Sequence, residues 1–222
     1  MEIDPAWLTP TWFIDSESSA VREFVDRVLG SETGDERATA VRLFHAVRDG
    51  IRYDPYSCLP DPALYRASTV LESTSNWCVP KAVALTACWR AAGLPARLGF
   101  ADVKNHLTSA KLGERMGTDV FYWHGYSEVL LGERWFKVSS AFNIELCERF
   151  GTRVLEFDGT ADALMHPYDT AGHRHMEYVN QRGSFDDLPL QQIFDDFAEL
   201  YPSFAFPDSP GDAASHGDDA FA

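Results

Sequence analysis

The stretch from Ser75 to Gly99, S-N-W-C-V-P-K-A-V-A-L-T-A-C-W-R-A-A-G-L-P-A-R-L-G, constrains the fold more than any other part of the chain. Between Val79 and Ala92 the apolar surface is interrupted only by Lys81, Thr86 and Arg90, so a helix here has almost no solvent face and belongs inside a core. Pro80 suits its first turn, where backbone N–H groups have no intrahelical acceptor. Gly93 supplies a permissive C-terminal cap, and Pro95 prevents the helix from resuming. Cys78 is thereby placed at the N-terminus of a central helix, where partial positive charge favours thiolate over thiol. Cys88, in mid-helix, and Cys58 and Cys147, with no partner motif nearby, read as packing residues.

The chain of 222 residues is long enough for one sizeable core, and 45% hydrophobic content with 13% aromatics indicates a globular protein. No run approaches the roughly 18 apolar residues that a membrane span requires. The start, Met1-Glu2-Ile3-Asp4-Pro5, lacks the basic and apolar regions of a signal peptide, and four irregularly spaced cysteines make no disulfide framework. A reducing cytoplasm is the expected location. A net charge of −15 argues against nucleic acid, which needs a basic footprint. Much of that charge is local, since Gly183 onward holds nine acids and no Lys or Arg, and it reads as a solvated region.

Helical spacing runs over residues 16–29 through Val21, Phe24, Val25, Val28 and Leu29, and again from Asp35 to Gly50. Ile51 to Tyr53 reads as a short extended piece, and residues 54–75 as a loop-rich connection with one helical turn near Ala67–Leu71. A strand is expected over Ala96 to Val103, then a polar surface loop over 104–119. Phe121 to Leu131, a Gly132-Glu133 turn and a return over Trp135 to Asn143 have the pattern of a hairpin. A further strand is expected at Arg153–Phe157, irregular chain over 160–185, and a last amphipathic helix over Leu188–Tyr201. Helices segregated from strands argue for an α+β fold, one domain over residues 1–207, with 208–222 a disordered acidic tail.

His124 lies on the first hairpin strand. With Gly132 and Glu133 as turn residues, His124 opposes Ala141, Tyr126 opposes Ser139 and Glu128 opposes Lys137. Alternation then puts Ser139 and Asn143 on the face of His124 as diagonal neighbours. A helix N-terminal thiol with a histidine on a hairpin suits nucleophilic acyl transfer, in which the imidazole takes the thiol proton and a third group holds the ring. Candidate third groups are Ser139, Asn143 and, on the neighbouring strand, Asp102. Backbone N–H at Cys78, the Trp77 indole or the Asn76 amide are candidate oxyanion donors, and Trp77 and Trp123 candidate cleft walls. Elsewhere, His166, Asp169, His173 and His175 lack metal-ligand spacing and read as loop residues, so no metal is expected. His106 and His45 read as surface or packing residues, Arg52 and Arg97 as partners of acids, and Lys81 as an exposed helix lysine or a source of positive potential near Cys78.

The segment W-C-V-P-K-A-V-A-L-T-A-C-W-R-A-A-G-L-P-A-R-L-G-F resembles the nucleophile helix of the transglutaminase-like superfamily. W-H-G-Y-S-E-V-L-L-G-E-R-W-F-K-V-S is similar to that family's histidine strand, and V-R-D-G-I-R-Y-D to its helix-to-strand lead-in; together the likeness covers about Thr39 to Asn143. The resemblance implies a papain-like α+β core with a buried helix carrying the cysteine packed on an antiparallel sheet carrying the histidine. It implies Cys78 as nucleophile and His124 as base, with Ser139 standing where the family usually has Asp. The implied activity is cysteine-dependent acyl chemistry through a Cys78 thioester, on a peptide, protein or small amide substrate, resolved by water or by an amine. No cofactor is needed for it, and no acidic loop with calcium-ligand spacing is apparent. The alternatives are a binding or scaffold domain that has lost the reaction, favoured by Ser139, and an amide synthase or cyclase of a biosynthetic pathway.

Overall fold

The computed structural model describes residues 2–31, 34–106, 113–114, 116–165, 169–173 and 175–201. Two capped helices open the core: α1 (Ser19–Leu29), whose Ser18 hydroxyl accepts from Val21 N–H, and α2 (Glu36–Gly50), whose Asp35 carboxylate accepts from Ala38 N–H. The chain then forms β1 (Arg52–Tyr53), α3 (Ala67–Glu72) and β2 (Ser75–Asn76). β1 and β2 pair in parallel, Arg52 with Ser75 and Tyr53 with Asn76, which fixes the chain just before α4 (Cys78–Ala91). α4 ends as its sequence indicates. Gly93 adopts φ 79°, its N–H reaches the Arg90 carbonyl, and Leu94 N–H reaches that of Trp89.

Every α4 residue from Cys78 to Arg90 is buried, as the near absence of polar positions requires. The helix lies between α1, α2 and α3 on one side and the sheet on the other. That sheet contains β3 (Ala96–Asn105), β4 (Val120–Leu131), β5 (Arg134–Val138) and β6 (Met176–Phe185) in the antiparallel order β5-β4-β3-β6. Helix on sheet is the α+β arrangement, with the cysteine helix packed on the histidine sheet. The Ser127 hydroxyl joins them by donating to the Ala82 carbonyl. After β5 come α5 (Ile144–Phe150) and finally α6 (Leu190–Leu200). No helix among the described residues is long and apolar enough to cross a membrane. The proposed tail, 208–222, lies outside the described residues.

Four expectations need correction. The hairpin register holds from Ser127↔Val138 to Leu131↔Arg134, with Glu128 opposite Lys137, but pairing stops there. His124 and Tyr126 therefore have no partners on β5, and Asn143 instead precedes the first turn of α5, a helix the sequence reading missed. Residues 153–157 form no strand; Val138 bridges to Ala163 instead. The "irregular" region holds β6, which lacks an apolar alternation because it is an edge strand with most of its residues exposed. Finally, Lys81 is fully buried. Its ammonium donates to the carbonyls of Arg48 (2.9 Å) and Ile51, at the C-terminal end of α2.

Burial pushes the Lys81 pKa down to about 7, against the attraction of Asp49. Replacing it with Met keeps the apolar stem but strands two buried carbonyls, each costing about 1–3 kcal/mol. Lys81→Met is therefore expected to lower the unfolding free energy by about 2 kcal/mol or more, read from urea denaturation at pH 8.

Candidate active site

Cys78 and His124 line one cavity of about 50 Å³, with Tyr53, Trp77, Phe197 and Tyr201 among its other walls. β2 and the first turn of α4 hold Cys78, and β4 holds His124. The close meeting of these two elements depends on Gly125. A Cβ there would lie 2.9 Å from Val79 Cα, a backbone atom that cannot turn aside. With no side chain in the way, the N–H groups of Gly125, Val79 and Cys78 all act on the Cys78 sulfur and favour its anion. The glycine that follows His124 in the sequence is the local signal of this close approach.

Desolvation outweighs those donors. Burial pushes the Cys78 thiol up to about 11, opposed by the three N–H groups and by Lys81. Burial likewise holds His124 down to about 4. The resting pair is neutral thiol and neutral imidazole, contrary to the thiolate that a helix N-terminus alone would favour. No hydrogen bond among the described residues joins thiol and ring. Ser139 Oγ lies 3.5 Å from His124 Nε2, a long contact.

The other named candidates are engaged elsewhere. Asn143 Oδ1 accepts from Tyr53 N–H at 3.1 Å. The Asn76 carboxamide oxygen accepts from Trp77 N–H and its nitrogen contacts Ser73 Oγ at 3.5 Å. The Trp77 indole N–H acts on the Tyr65 hydroxyl, favouring its ionised form, although it falls short of hydrogen-bonding geometry. Trp123 packs on Phe100 and Phe185, outside the cavity lining. Asp102 accepts from Trp123 N–H (3.1 Å), Asn180 Nδ2 (2.9 Å) and Arg182 Nε (2.5 Å).

That last set has a different use. Pairing passes from Ala101↔His124 to Val103↔Phe121, so Tyr122 and Trp123 together face Asp102, a bulge in β4. Trp123 takes φ 58° there, a left-handed conformation unfavourable for a bulky side chain by about 1 kcal/mol or more. Asp102 holds the bulge by accepting from the Trp123 backbone N–H. Asp196 of α6 holds it from beyond, accepting from the Trp123 indole (2.7 Å) and from Arg182 Nη1 (2.6 Å). His124 follows immediately, so the clamp fixes where the ring begins.

The remaining titratable candidates are dispersed. His45 meets Glu156 at 3.5 Å, His106 meets Glu177 at 3.3 Å, and His173 meets Asp169 at 3.0 Å, while His175 stacks on Phe142. His166 lies outside the described residues. Among the described residues no three His, Cys, Asp or Glu side chains are placed to hold a metal ion. Arg97 pairs with buried Glu128 at 2.7 Å.

Comparison with known families matches residues 22–140, more than half of the chain, to the transglutaminase-like superfamily. Comparison with curated protein sequences finds no significant match. Among solved structures, one described as a candidate cysteine protease from Cytophaga hutchinsonii is similar, with a TM-score of 0.46 and 16% identity over 61% of this chain. The match spans 40% of that protein's chain.

Gly125→Ala is expected to push β4 away from Val79 and withdraw an N–H from the sulfur. The expected outcome is a loss of about 1–3 kcal/mol in stability, typical of overpacking, and at least a tenfold change in the rate at which iodoacetamide labels Cys78. Thermal melting and peptide mapping check the two effects separately.

Proposed function

Since the chain belongs to the transglutaminase-like superfamily, we propose that it is a cysteine-dependent acyl-transfer enzyme with Cys78 as nucleophile and His124 as base. The observation that carries this reading is the shared cavity, which both Cys78 and His124 line while three backbone N–H groups act on the sulfur. Family membership alone would not carry it, because a fold does not guarantee a reaction.

Chemistry from a neutral pair runs with proton transfer and attack together. His124 Nδ1, which makes no hydrogen bond among the described residues, takes the thiol proton as sulfur bonds to the substrate carbonyl carbon. Ser139 supports the opposite nitrogen by accepting from Nε2–H, which leaves the lone pair on Nδ1. The bond from carbonyl carbon to the leaving amine then breaks, the amine departs with the proton from His124, and a thioester remains on Cys78. Water converts the thioester to an acid, and an amine converts it to a new amide.

A binding domain without catalysis is the second reading, favoured by Ser139. A hydroxyl orients the ring but brings no charge to stabilise imidazolium. Acylation of Cys78 by p-nitrophenyl acetate, followed by intact mass, separates the two. His124→Ala is expected to slow it by about 10²–10⁴, the usual range for losing a general base. An unchanged rate would leave the binding domain as the better account.

The pH dependence follows from burial. A protonated ring cannot accept the thiol proton, and His124 stays neutral down to about pH 4. The acid limb of acylation is therefore expected near pH 4 rather than near the 6.5 of a free imidazole. Ser139→Asp would place a carboxylate beside Nε2, favour imidazolium and move that limb upward. Initial rates from pH 3 to 8 in both proteins test the shift.

A further inference from the structure

We propose that the acyl group delivered to Cys78 is uncharged and carries a single aromatic ring, and that α6 selects it. This rests on the acyl-transfer reading above and assigns its substrate class. The walls of the cavity are mostly aromatic, and no Asp, Glu, Lys or Arg is among the described residues that line it. The hydroxyl of one of them is engaged within the protein. The Tyr201 hydroxyl accepts from Tyr122 N–H (2.5 Å) and donates to the Val120 carbonyl (3.3 Å), so its ring is what the cavity meets. The Trp77 indole N–H is buried and short of hydrogen-bonding geometry to Tyr65, a neutral donor that brings no charge to the cavity. A carboxylate or ammonium entering here would lose its water and find no counter-charge, which is strongly unfavourable. The net charge of −15 disfavours an anionic acyl group further.

Size narrows the class. A cavity of about 150 Å³ encloses a benzene, so one of about 50 Å³ takes at most part of one ring within its walls and admits no fused ring system. The wall rings are tilted or edge-on to one another, with Trp77 and Phe197 centroids 6.1 Å apart and Phe197 and Tyr201 5.0 Å apart. These are the offset geometries in which aromatic rings attract, and a ring between them would extend the set.

The origin of the walls assigns the selector. All described lining residues but two fall inside the family match over 22–140; Phe197 of α6 and Tyr201, which caps its C-terminus, lie outside it. The matched family region thus carries Cys78 and His124, while α6 and the residue that caps it supply a wall from outside that region. The clamp through Asp196 to Trp123 and Arg182 fixes that wall against the sheet.

The test uses N-acetylcysteamine thioesters of phenylacetic, acetic and succinic acids with the full chain, following Cys78 acylation by intact mass. In each exchange the Cys78 sulfur takes the acyl group, and N-acetylcysteamine leaves with the thiol proton. Phenylacetyl transfer is expected at least tenfold faster than acetyl, with succinyl slowest. In Phe197→Ala the phenylacetyl-to-acetyl ratio should fall at least fivefold. Phe197→Leu, which keeps an apolar side chain for α6 to pack with, should lower it less. Acylation of Cys78 with succinyl as fast as phenylacetyl, or a ratio unmoved in both variants, overturns the substrate class while leaving the acyl-transfer reading intact. Equal mass gain in Cys78→Ala, or none in the wild type, overturns the acyl-transfer reading and this inference with it.

Discussion

Where Gly125 meets Val79, a strand and the first turn of a helix come closer than any side chain between them would permit. Much of the molecule is arranged to make that approach. The parallel pair β1–β2 fixes the entry to α4, and the almost wholly apolar body of α4 has nowhere to go but between the sheet and three other helices. Ser127, two residues beyond Gly125, fastens the same strand to the Ala82 carbonyl one turn further along. Thiol and imidazole share a cavity because these two backbones touch, and the bulge before His124 sets the point from which its ring departs.

The approach has an electrostatic consequence. Excluding water removes the solvent that would stabilise either ionised partner, and the N–H groups and Lys81 only partly replace it. Lys81 is itself buried and held by the carbonyls closing α2, so its charge belongs as much to the packing of α2 on α4 as to the thiol. Positive potential at the helix N-terminus and desolvation compete at one atom, and desolvation is the larger effect.

The features legible in the sequence were those written in apolar periodicity and turn chemistry. The bounds of α4 followed from Pro80, Gly93 and Pro95, and the hairpin register followed from Gly132-Glu133 as far as Val138. β6 was not legible, because an edge strand reading M-E-Y-V-N-Q-R-G-S-F is held by main-chain bonds to β3 rather than by a buried face. Lys81 looked exposed because residue type alone does not show the two carbonyls waiting for it. Phe197 and Tyr201 read as an ordinary core face, since an amphipathic stripe looks the same whether it covers a core or roofs a cavity. Asp102 could be singled out as an acid near the site. That it braces a left-handed Trp123 depends on a register shift that no spacing rule shows.

A sulfur kept protonated has a second property besides slow ionisation. Peroxides and small electrophiles attack thiolate, and the damage proceeds from sulfenic acid to forms that are not recovered. With its proton retained past neutral pH and only 7% of its surface exposed, Cys78 offers such reagents little thiolate and little access. The same burial that withholds the anion therefore also shields the sulfur from oxidants.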